Sequence, residues 1–259
     1  MTARDIVEDY GRGIPPDGKP AYFRLHRYRF RKLLAALPPA PARILEIGTT
    51  PGQFTEILRR AGYEVAGVDL FPDQRAELWR RIEVEVRYCN IDEQPLPYAD
   101  ESFDAVVFSE VIEHLVSSPL PALREMARVL RPGGRLVITT PNQHYLKSRL
   151  RTLADILLGR PFEPFGDFTR AMSLAGPQRY YNHSRLYTLQ ELRWLVGQSG
   201  LEVALARYAD AWEQVGVEAG RLLRHPLRVA VKGGLWLLTG AFPTWRSMLL
   251  VVGRKSAER

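Results

Sequence analysis

The stretch ILEIGTTPG at residues 44–52 joins a short apolar run to a turn with two glycines, and a helical pattern follows it. Gly48 and Gly52 can adopt backbone conformations that larger residues avoid, and they let a ligand approach the main chain closely. The N-terminus of the following helix presents free N–H groups that suit a carboxylate or a phosphate. The stretch therefore predicts a strand, a ligand-binding turn and a helix, with a purely structural turn as the alternative.

Short apolar runs alternate with helical patterns on both sides of this stretch. They predict helices at 21–37, 53–60, 74–80 and 121–130, and strands at 44–47, 64–68, 84–88, 103–109 and 135–140. Later patterns predict helices at 145–158 and 189–198 and strands at 202–209 and 248–252. This order is typical of a doubly wound, mostly parallel α/β sheet, here with seven strands and helices on both faces.

The chain is predicted to divide into two parts, with an insertion in the second. Residues 1–40 are predicted to be a lead-in and a helix, and the Gly-, Pro- and charge-rich residues 1–20 should be loosely held. Residues 41–259 form the main domain. Its regular alternation breaks at about 141–182, after the fifth strand, and a connection of that length is typical of a lid or binding element.

An acidic residue, Asp69, closes the second predicted strand in the sequence VDL. A carboxylate at this position can accept hydrogen bonds from ribose hydroxyls, although an isolated Asp after a strand is often only a turn former. The glycines of residues 44–52 do not form the G-x-G-x-x-G dinucleotide pattern, which disfavours an NAD-dependent dehydrogenase.

Four ordered blocks resemble the class I S-adenosylmethionine-dependent methyltransferases, in particular their small-molecule and glycan-modifying branch. The blocks are ILEIGTTPG, VAGVDL, CNIDEQPLPYADESFDAVVFSEVIEHL and VLRPGGRLVITTPN, with a weaker match at HSRLYTLQELRWLVGQSGLEV. The resemblance implies a Rossmann-like methyltransferase fold with S-adenosylmethionine as cofactor and S-adenosylhomocysteine as product.

The resemblance also implies roles for individual residues. The methionine end of the cofactor would rest on the turn and near the end of the fourth strand, Asp69 would bind the ribose, and the adenine would lie between the second and third strands. The cofactor-binding set is Glu46, Gly48, Thr49, Gly52, Asp69, Leu70, Asn90, Ile91, Ser109 and Glu110. Thr50 stands where the family usually has glycine, so the turn should be narrower here.

The sequence EVIEH at 110–114 raises the question of a metal. In a helix, Glu110, Glu113 and His114 would share one face. Some quinone-pathway O-methyltransferases that resemble this chain bind a divalent cation with E-x-x-E-H, and carboxylates suit such an ion. The alternative is that these residues brace the substrate pocket, and we predict no metal site.

Methyl transfer to a hydroxyl benefits from a base that is neutral near pH 7, which favours histidine. The candidates within the matched region are His114, His144 and His183. We prefer His144 slightly, because it follows the fifth strand at the mouth of the predicted site.

The insertion contains aromatic and arginine residues, which suit a sugar, an aromatic ring or an anionic group: Phe162, Phe165, Phe168, Tyr180, Tyr181, Arg160, Arg170 and Arg179. We therefore predict an O-methyltransferase that acts on a small molecule or glycan, with lipid-linked acceptors included. A non-catalytic S-adenosylmethionine-binding protein is an alternative that Thr50 motivates.

An RNA methyltransferase is a second alternative. It is motivated by the net charge of +7 and by the aromatic and basic residues at 22–32. The fourth strand lacks the Asn-Pro-Pro or Asp-Pro-Pro motif that grips a planar amine, so a nucleic-acid partner is disfavoured.

Location is predicted from a few features. The single cysteine, Cys89, and the charged N-terminus without an apolar core fit a cytoplasmic protein. The apolar segment 229–242 should form a helix packed on the sheet, with peripheral membrane contact through 226–246 as the alternative. The pattern makes no prediction about oligomeric state.

Overall fold

A computed structural model of the protein describes residues 2–15, 18–161, 180, 182–215 and 226–257. Within these ranges the strands form a seven-stranded sheet in the order β3-β2-β1-β4-β5-β7-β6. All pairings are parallel except those of β7, which runs antiparallel to β5 and β6. The strands are β1 Arg43–Ile47, β2 Glu64–Asp69, β3 Glu85–Tyr88, β4 Phe103–Ser109, β5 Leu130–Pro141, β6 Glu202–Ala209 and β7 Met248–Arg254. The predicted fold class is confirmed.

Apart from the first, which was not predicted, the helices follow the predicted positions closely. They are α1 Ala3–Arg12, α2 Pro20–Ala36, α3 Gln53–Arg60, α4 Ala76–Ile82, α5 Leu120–Val129, α6 Leu146–Leu157, α7 Leu189–Gln198 and α8 Pro226–Ala241. Short single-turn helices at Pro72–Arg75, Ile112–His114 and Pro243–Trp245 complete the described elements. Helix α7 begins with a capping box, in which Thr188 and Glu191 each bond the other's backbone N–H.

The central strands are mostly apolar because both faces of the sheet are covered. In β7, Leu249 and Val251 point into one core while Leu250 and Val252 point into the other. The same alternation in β1 and β4 fixes their register, because a slip of one residue would exchange the two faces. All three strands end or begin at the edge where the glycine turn lies.

The N-terminal residues are not a loose lead-in, and that prediction is wrong for residues 3–12. Thr2 and Asp5 form a capping box that starts α1, and Val7 and Tyr10 are buried. The Tyr10 ring lies 5.4 Å from Phe23 of α2, centroid to centroid. Phe30 of α2 in turn stacks on Phe54 of α3. The helices before residue 40 therefore share a core with one face of the sheet, while the domain boundary there remains a prediction.

The predicted helix near the C-terminus forms, as α8, but its packing differs from the prediction. For residues 230–242, the side chains of Val231, Trp236, Leu237, Leu238 and Phe242 are exposed by 42–70% rather than packed on the sheet. In the described part of the chain, no helix is both long and apolar enough to cross a bilayer.

The packing of α1 can be tested with Val7→Ala. Val7 is fully buried, and the substitution removes two methyl groups, so we expect the free energy of unfolding to fall by about 2 kcal/mol. Val231→Ala is the matched control, because Val231 is 57% exposed and its truncation should cost less than about 0.5 kcal/mol. Urea unfolding measures both, and equal stabilities would contradict the packing of α1.

Candidate cofactor and catalytic site

The turn after β1 adopts the conformations that its glycines predict. Gly48 has φ 76° and Gly52 has φ 95°, both in the left-handed region. A Cβ on Gly48 would lie 2.6 Å from Cγ2 of Val111, and a Cβ on Gly52 would collide with Leu78. Larger residues are therefore excluded at both positions by conformation and by space.

Asp69 fastens this turn to the end of β2. Its Oδ2 accepts hydrogen bonds from the Thr50 amide at 2.8 Å and from the Thr49 hydroxyl at 3.3 Å, while Oδ1 accepts from the Phe71 amide at 2.8 Å. Thr50 does not need a left-handed backbone, because it is absent from the residues with positive φ. The departure from glycine at position 50 is therefore compatible with the conformation of the turn.

Two adjoining cavities open at the carboxyl edge of the sheet, and they share Gly48, Glu110 and Val111. The first, about 150 Å³, is mainly apolar and lies over the ends of β2 and β3. The second, about 160 Å³, lies between the glycine turn and α2. The predicted cofactor residues Asp69, Leu70, Asn90 and Ile91 line the first, Glu46, Thr49, Gly52 and Ser109 line the second, and Gly48 and Glu110 line both.

The second cavity holds buried polar atoms that have no hydrogen-bond partner. They are Oγ1 of Thr50, Oε1 of Gln53, Oε1 of Glu110 and Nε of Arg29. Buried polar groups are normally satisfied, so this group of unpaired atoms fits a site that binds a polar ligand. The set offers a guanidinium and several oxygen acceptors, which fits a zwitterion with one carboxylate and one ammonium group, as at the methionine end of S-adenosylmethionine.

Arg29 is a site residue that the sequence analysis missed. It comes from α2 and is buried, with Nη1 at 3.5 Å from Glu110 Oε2 and Nη2 donating to the Tyr22 hydroxyl at 3.0 Å. Burial opposes the charge of this guanidinium, but the Glu110 carboxylate and Tyr22 outweigh it and raise the pKa of Arg29. The sequence signal was the aromatic and basic pattern at 22–32, which suggested nucleic acid instead.

Glu46 lies beneath the turn, at the floor of the second cavity. Its Oε2 accepts a hydrogen bond from the Thr55 hydroxyl at 2.6 Å. Burial, with a smaller contribution from the nearby Asp69 carboxylate, raises the pKa of Glu46 to about 8. A cationic ligand in the cavity would favour the charged form of this carboxyl.

The metal alternative depended on a helix through residues 110–114, and that geometry is wrong. Glu110 has φ 56° and faces Arg29, and only Ile112–His114 form a turn. The structure instead brings potential ligand atoms of Glu113, His114 and His183 within 4.8 Å of one another. Glu113 is buried and accepts a hydrogen bond from the Thr140 hydroxyl at 2.9 Å.

The three candidate bases lie in different places. His114 lines the first cavity, and its ring packs edge-on against His183 with centroids 4.8 Å apart. Nδ1 of His114 lies 3.2 Å from the backbone oxygen of Asn182. His144 is exposed after β5 and lines neither cavity. The structure thus brings His114 and His183 together at the site and leaves His144 apart.

The end of the predicted insertion reaches the first cavity. Nδ2 of Asn90 donates a hydrogen bond to the Tyr180 hydroxyl at 2.9 Å, and the Ser184 amide donates to the Glu113 carbonyl at 2.7 Å. Of the other residues proposed for substrate contact, Arg160 is exposed beyond α6. The remainder lie outside the described residues: Phe162, Phe165, Phe168, Arg170, Arg179 and Tyr181.

Two relatives match the part of the chain that holds the predicted motifs. The demethylmenaquinone methyltransferase of Thermus thermophilus is 39% identical over 117 residues, which cover 43% of this chain and 53% of that protein. The ubiquinone biosynthesis O-methyltransferase of Xanthomonas axonopodis pv. citri is 33% identical over 124 residues, 46% of this chain and 51% of that protein. The chain thus spans about half the length of these relatives.

The fold extends the similarity to more of the chain. An S-adenosylmethionine-dependent methyltransferase from Mesorhizobium loti superposes with a TM-score of 0.58 at 18% identity, covering 88% of this chain and 98% of that one. At this identity the likeness shows the fold alone.

The family itself is shown by residues 22–206, more than half of the chain, which match the family described as "Methyltransferase domain". This range includes the glycine turn, Asp69 and the cavity-lining residues of β4. The prediction of S-adenosylmethionine as the cofactor is confirmed at the level of this family. The chain therefore belongs to the methyltransferase-domain family, as a class I S-adenosylmethionine-dependent methyltransferase.

Proposed function

We propose that this chain transfers the methyl group of S-adenosylmethionine to a hydroxyl group of a small molecule. The observation that carries the proposal is the second cavity, where orphaned polar atoms beside Arg29 fit an amino-acid zwitterion. By their names, one of the relatives is a demethylmenaquinone methyltransferase and the other is an O-methyltransferase of ubiquinone biosynthesis.

The two cavities suggest how the residues divide the cofactor between them. Arg29 would bind the carboxylate, and the oxygens of Gln53 and Glu110 would accept from the ammonium group. Oδ1 of Asp69, which accepts from the Phe71 amide, keeps a lone pair that would accept from a ribose hydroxyl. Leu70 and Ile91 offer apolar surface for the adenine, with Asn90 at its rim.

When bound, the cofactor would supply a methyl group on a positively charged sulfur. A nucleophile attacks this methyl group from the side opposite the sulfur, which is the leaving group. The protein mainly has to align the acceptor and remove one proton. His114 is the base that the geometry favours. A carbonyl can only accept, so Nδ1 carries the hydrogen toward Asn182, and Nε2 is the ring nitrogen that would take the hydroxyl proton. The oxygen–methyl bond forms as the sulfur–methyl bond breaks, and S-adenosylhomocysteine remains.

The charge state of His114 agrees with this role. Burial and the neighbouring His183 lower the pKa of His114 below its ordinary value of 6.5, so the ring is neutral near pH 7. His183 sits at the end of the insertion and its pKa is also lowered by burial. His183 would therefore position His114 and the acceptor rather than carry a charge.

The acceptor is proposed to be a small molecule or a glycan, including one attached to a lipid. The insertion at about 141–182 would cover it, which is supported by the contact of Tyr180 with Asn90 at the cavity rim. Three of the five basic residues that suggested RNA pair with carboxylates within the fold, because Arg29 faces Glu110, Arg31 pairs with Glu8 and Lys32 pairs with Asp210.

The proposal is tested first by binding and then by turnover. Calorimetry should detect S-adenosylmethionine, and a panel of phenols, sugars and lipid-linked sugars should include an acceptor that releases S-adenosylhomocysteine. Binding without release from any acceptor would favour a non-catalytic cofactor-binding protein. A folded chain that binds neither S-adenosylmethionine nor S-adenosylhomocysteine would contradict the proposal.

Asp69→Ala should weaken S-adenosylhomocysteine binding by about 10-fold or more, because hydrogen bonds to a charged group are lost. Asp73→Ala is the matched control, since Asp73 is an exposed carboxylate four residues further along the chain. Calorimetry measures both variants, and thermal unfolding checks that the turn remains folded. Equal affinities for the two variants would contradict the ribose role.

Arg29→Met should distinguish the two halves of the cofactor. We expect affinity for S-adenosylhomocysteine to fall by about 10-fold or more, because a charge-assisted contact to the carboxylate is removed. Affinity for 5′-methylthioadenosine, which lacks the amino-acid end, should stay within about twofold. The double variant Arg29→Met with Glu110→Gln controls for an unpaired carboxylate. A parallel loss for both ligands would rule out selective contact with the carboxylate.

His114→Asn should lower kcat by about 100-fold or more with an acceptor hydroxyl that needs a base. His144→Asn is the matched control and should change kcat by less than about twofold. A base is active in its deprotonated form, so the lowered pKa of His114 predicts that the rate of the unmodified protein at pH 6.5 is more than half its maximum and falls only at lower pH. A larger loss in the His144 variant would move the base to that residue.

A further inference from the structure

Exposed apolar side chains are concentrated on two helices. Of the sixteen large apolar side chains exposed in the described residues, ten belong to α6, its C-terminal end, α8 and the residue that follows α8. The members are Leu150, Leu153, Ile156, Leu157, Leu158, Val231, Trp236, Leu237, Leu238 and Phe242. Scattered apolar residues on a surface need no explanation, but a concentration of this size indicates an interaction surface.

Helix α6 shows how unusual this surface is. It has twelve residues and none of them is buried, and five large apolar side chains on it or directly after it are exposed. Leu157 is 76% exposed, more than any other large apolar side chain in the described residues. Tertiary packing of an apolar face normally stabilises a helix of this length, but no residue of α6 is buried against the described part of the chain.

The two helices leave the sheet at the same place. Nδ2 of Asn142, just before α6, donates to the backbone oxygens of Thr244 at 2.8 Å and Arg246 at 2.7 Å, just after α8. This junction follows β5, whose Thr139 hydroxyl contacts Ser109 of β4 at the second cavity. The apolar surface therefore begins beside the carboxyl edge that holds the proposed cofactor site.

The net charge of the segments that contain α6 and α8 favours an anionic partner. Residues 142–161 contain four basic residues and one acidic residue, and residues 226–246 contain three basic residues and no acidic one. These two segments account for six of the seven net positive charges of the chain. Lys147, Arg149 and Arg151 are exposed on α6 among its leucines. Apolar side chains combined with an excess of basic residues match the surface of an anionic bilayer.

We propose that α6 and α8 form a membrane-docking surface that holds the cofactor cavity next to an anionic lipid bilayer. The exposed leucine, isoleucine and tryptophan side chains enter the boundary between headgroups and acyl chains, while the exposed Lys147 and Arg149 of α6 contact lipid phosphates. Neither helix crosses the bilayer, so the attachment is peripheral. The surface does not depend on the proposed methyl transfer, and a hydroxyl acceptor dissolved in the lipid would reach the site from this side.

Vesicle co-sedimentation of the full chain tests the proposal. We expect binding to phosphatidylcholine vesicles that contain phosphatidylglycerol, weaker binding to phosphatidylcholine alone, and a loss of binding as salt screens the charges. The variants Leu153→Gln with Leu157→Gln, and separately Leu237→Gln, should each weaken binding by about 10-fold or more. Trp194→Gln is the matched control, because Trp194 is 58% exposed on α7, outside this surface.

Calorimetry with S-adenosylhomocysteine shows whether each variant is folded and keeps the cofactor site, so a failure of methyl transfer does not affect the result. Lys147→Glu with Arg149→Glu should remove the preference for anionic vesicles. Binding that is absent, or equal in the surface variants and in Trp194→Gln, would overturn the proposal. Sedimentation equilibrium that shows a dimer dissociated by Leu237→Gln, without vesicle binding, would assign the surface to a second copy of the chain instead.

Discussion

The contacts of one carboxylate, Asp69, organise the cofactor edge of this fold. Because its two oxygens accept hydrogen bonds from three groups on either side, Asp69 joins the glycine turn after β1 to the chain that leaves β2. The turn can lie close to the sheet only because Gly48 and Gly52 adopt left-handed conformations. With the turn fixed in this way, the ends of four adjacent parallel strands form one continuous rim, and both cavities open along it.

Most of the sheet could be predicted from the sequence because its strands are buried on both faces. The run Phe103–Ser109 matched β4 at both ends, since its residues 105–108 are all apolar, as in a strand covered on two sides. The ten predicted cofactor residues all line the two cavities for a related reason, because the carboxyl ends of parallel strands meet at one edge. The positions of the motifs at the ends of predicted strands therefore indicated which residues lie together in the fold.

The errors concern contacts that no periodicity encodes. Arg29 meets Glu110 across 81 positions in the chain, and only the packing of α2 on α3 brings them together. The assumed helix at 110–114 failed because Glu110 takes a left-handed backbone that its residue type rarely adopts. The capping box of α1 was readable as Thr-x-x-Asp, but the composition of the first twenty residues obscured it. The helix α8 was predicted correctly, but several of its apolar side chains are exposed rather than packed on the sheet.

The contacts that connect α1 through α2 to the second cavity have a thermodynamic consequence. Arg29 and Tyr22 reach the second cavity only while α2 rests on α3, and α1 holds α2 in that position. A ligand that engages these side chains binds the docked state in preference to an undocked one, so the two equilibria are linked. Amide hydrogens of α1 and α2 should accordingly exchange more slowly in the liganded protein. A change that stabilises the docking of these two helices should also raise the affinity for the ligand.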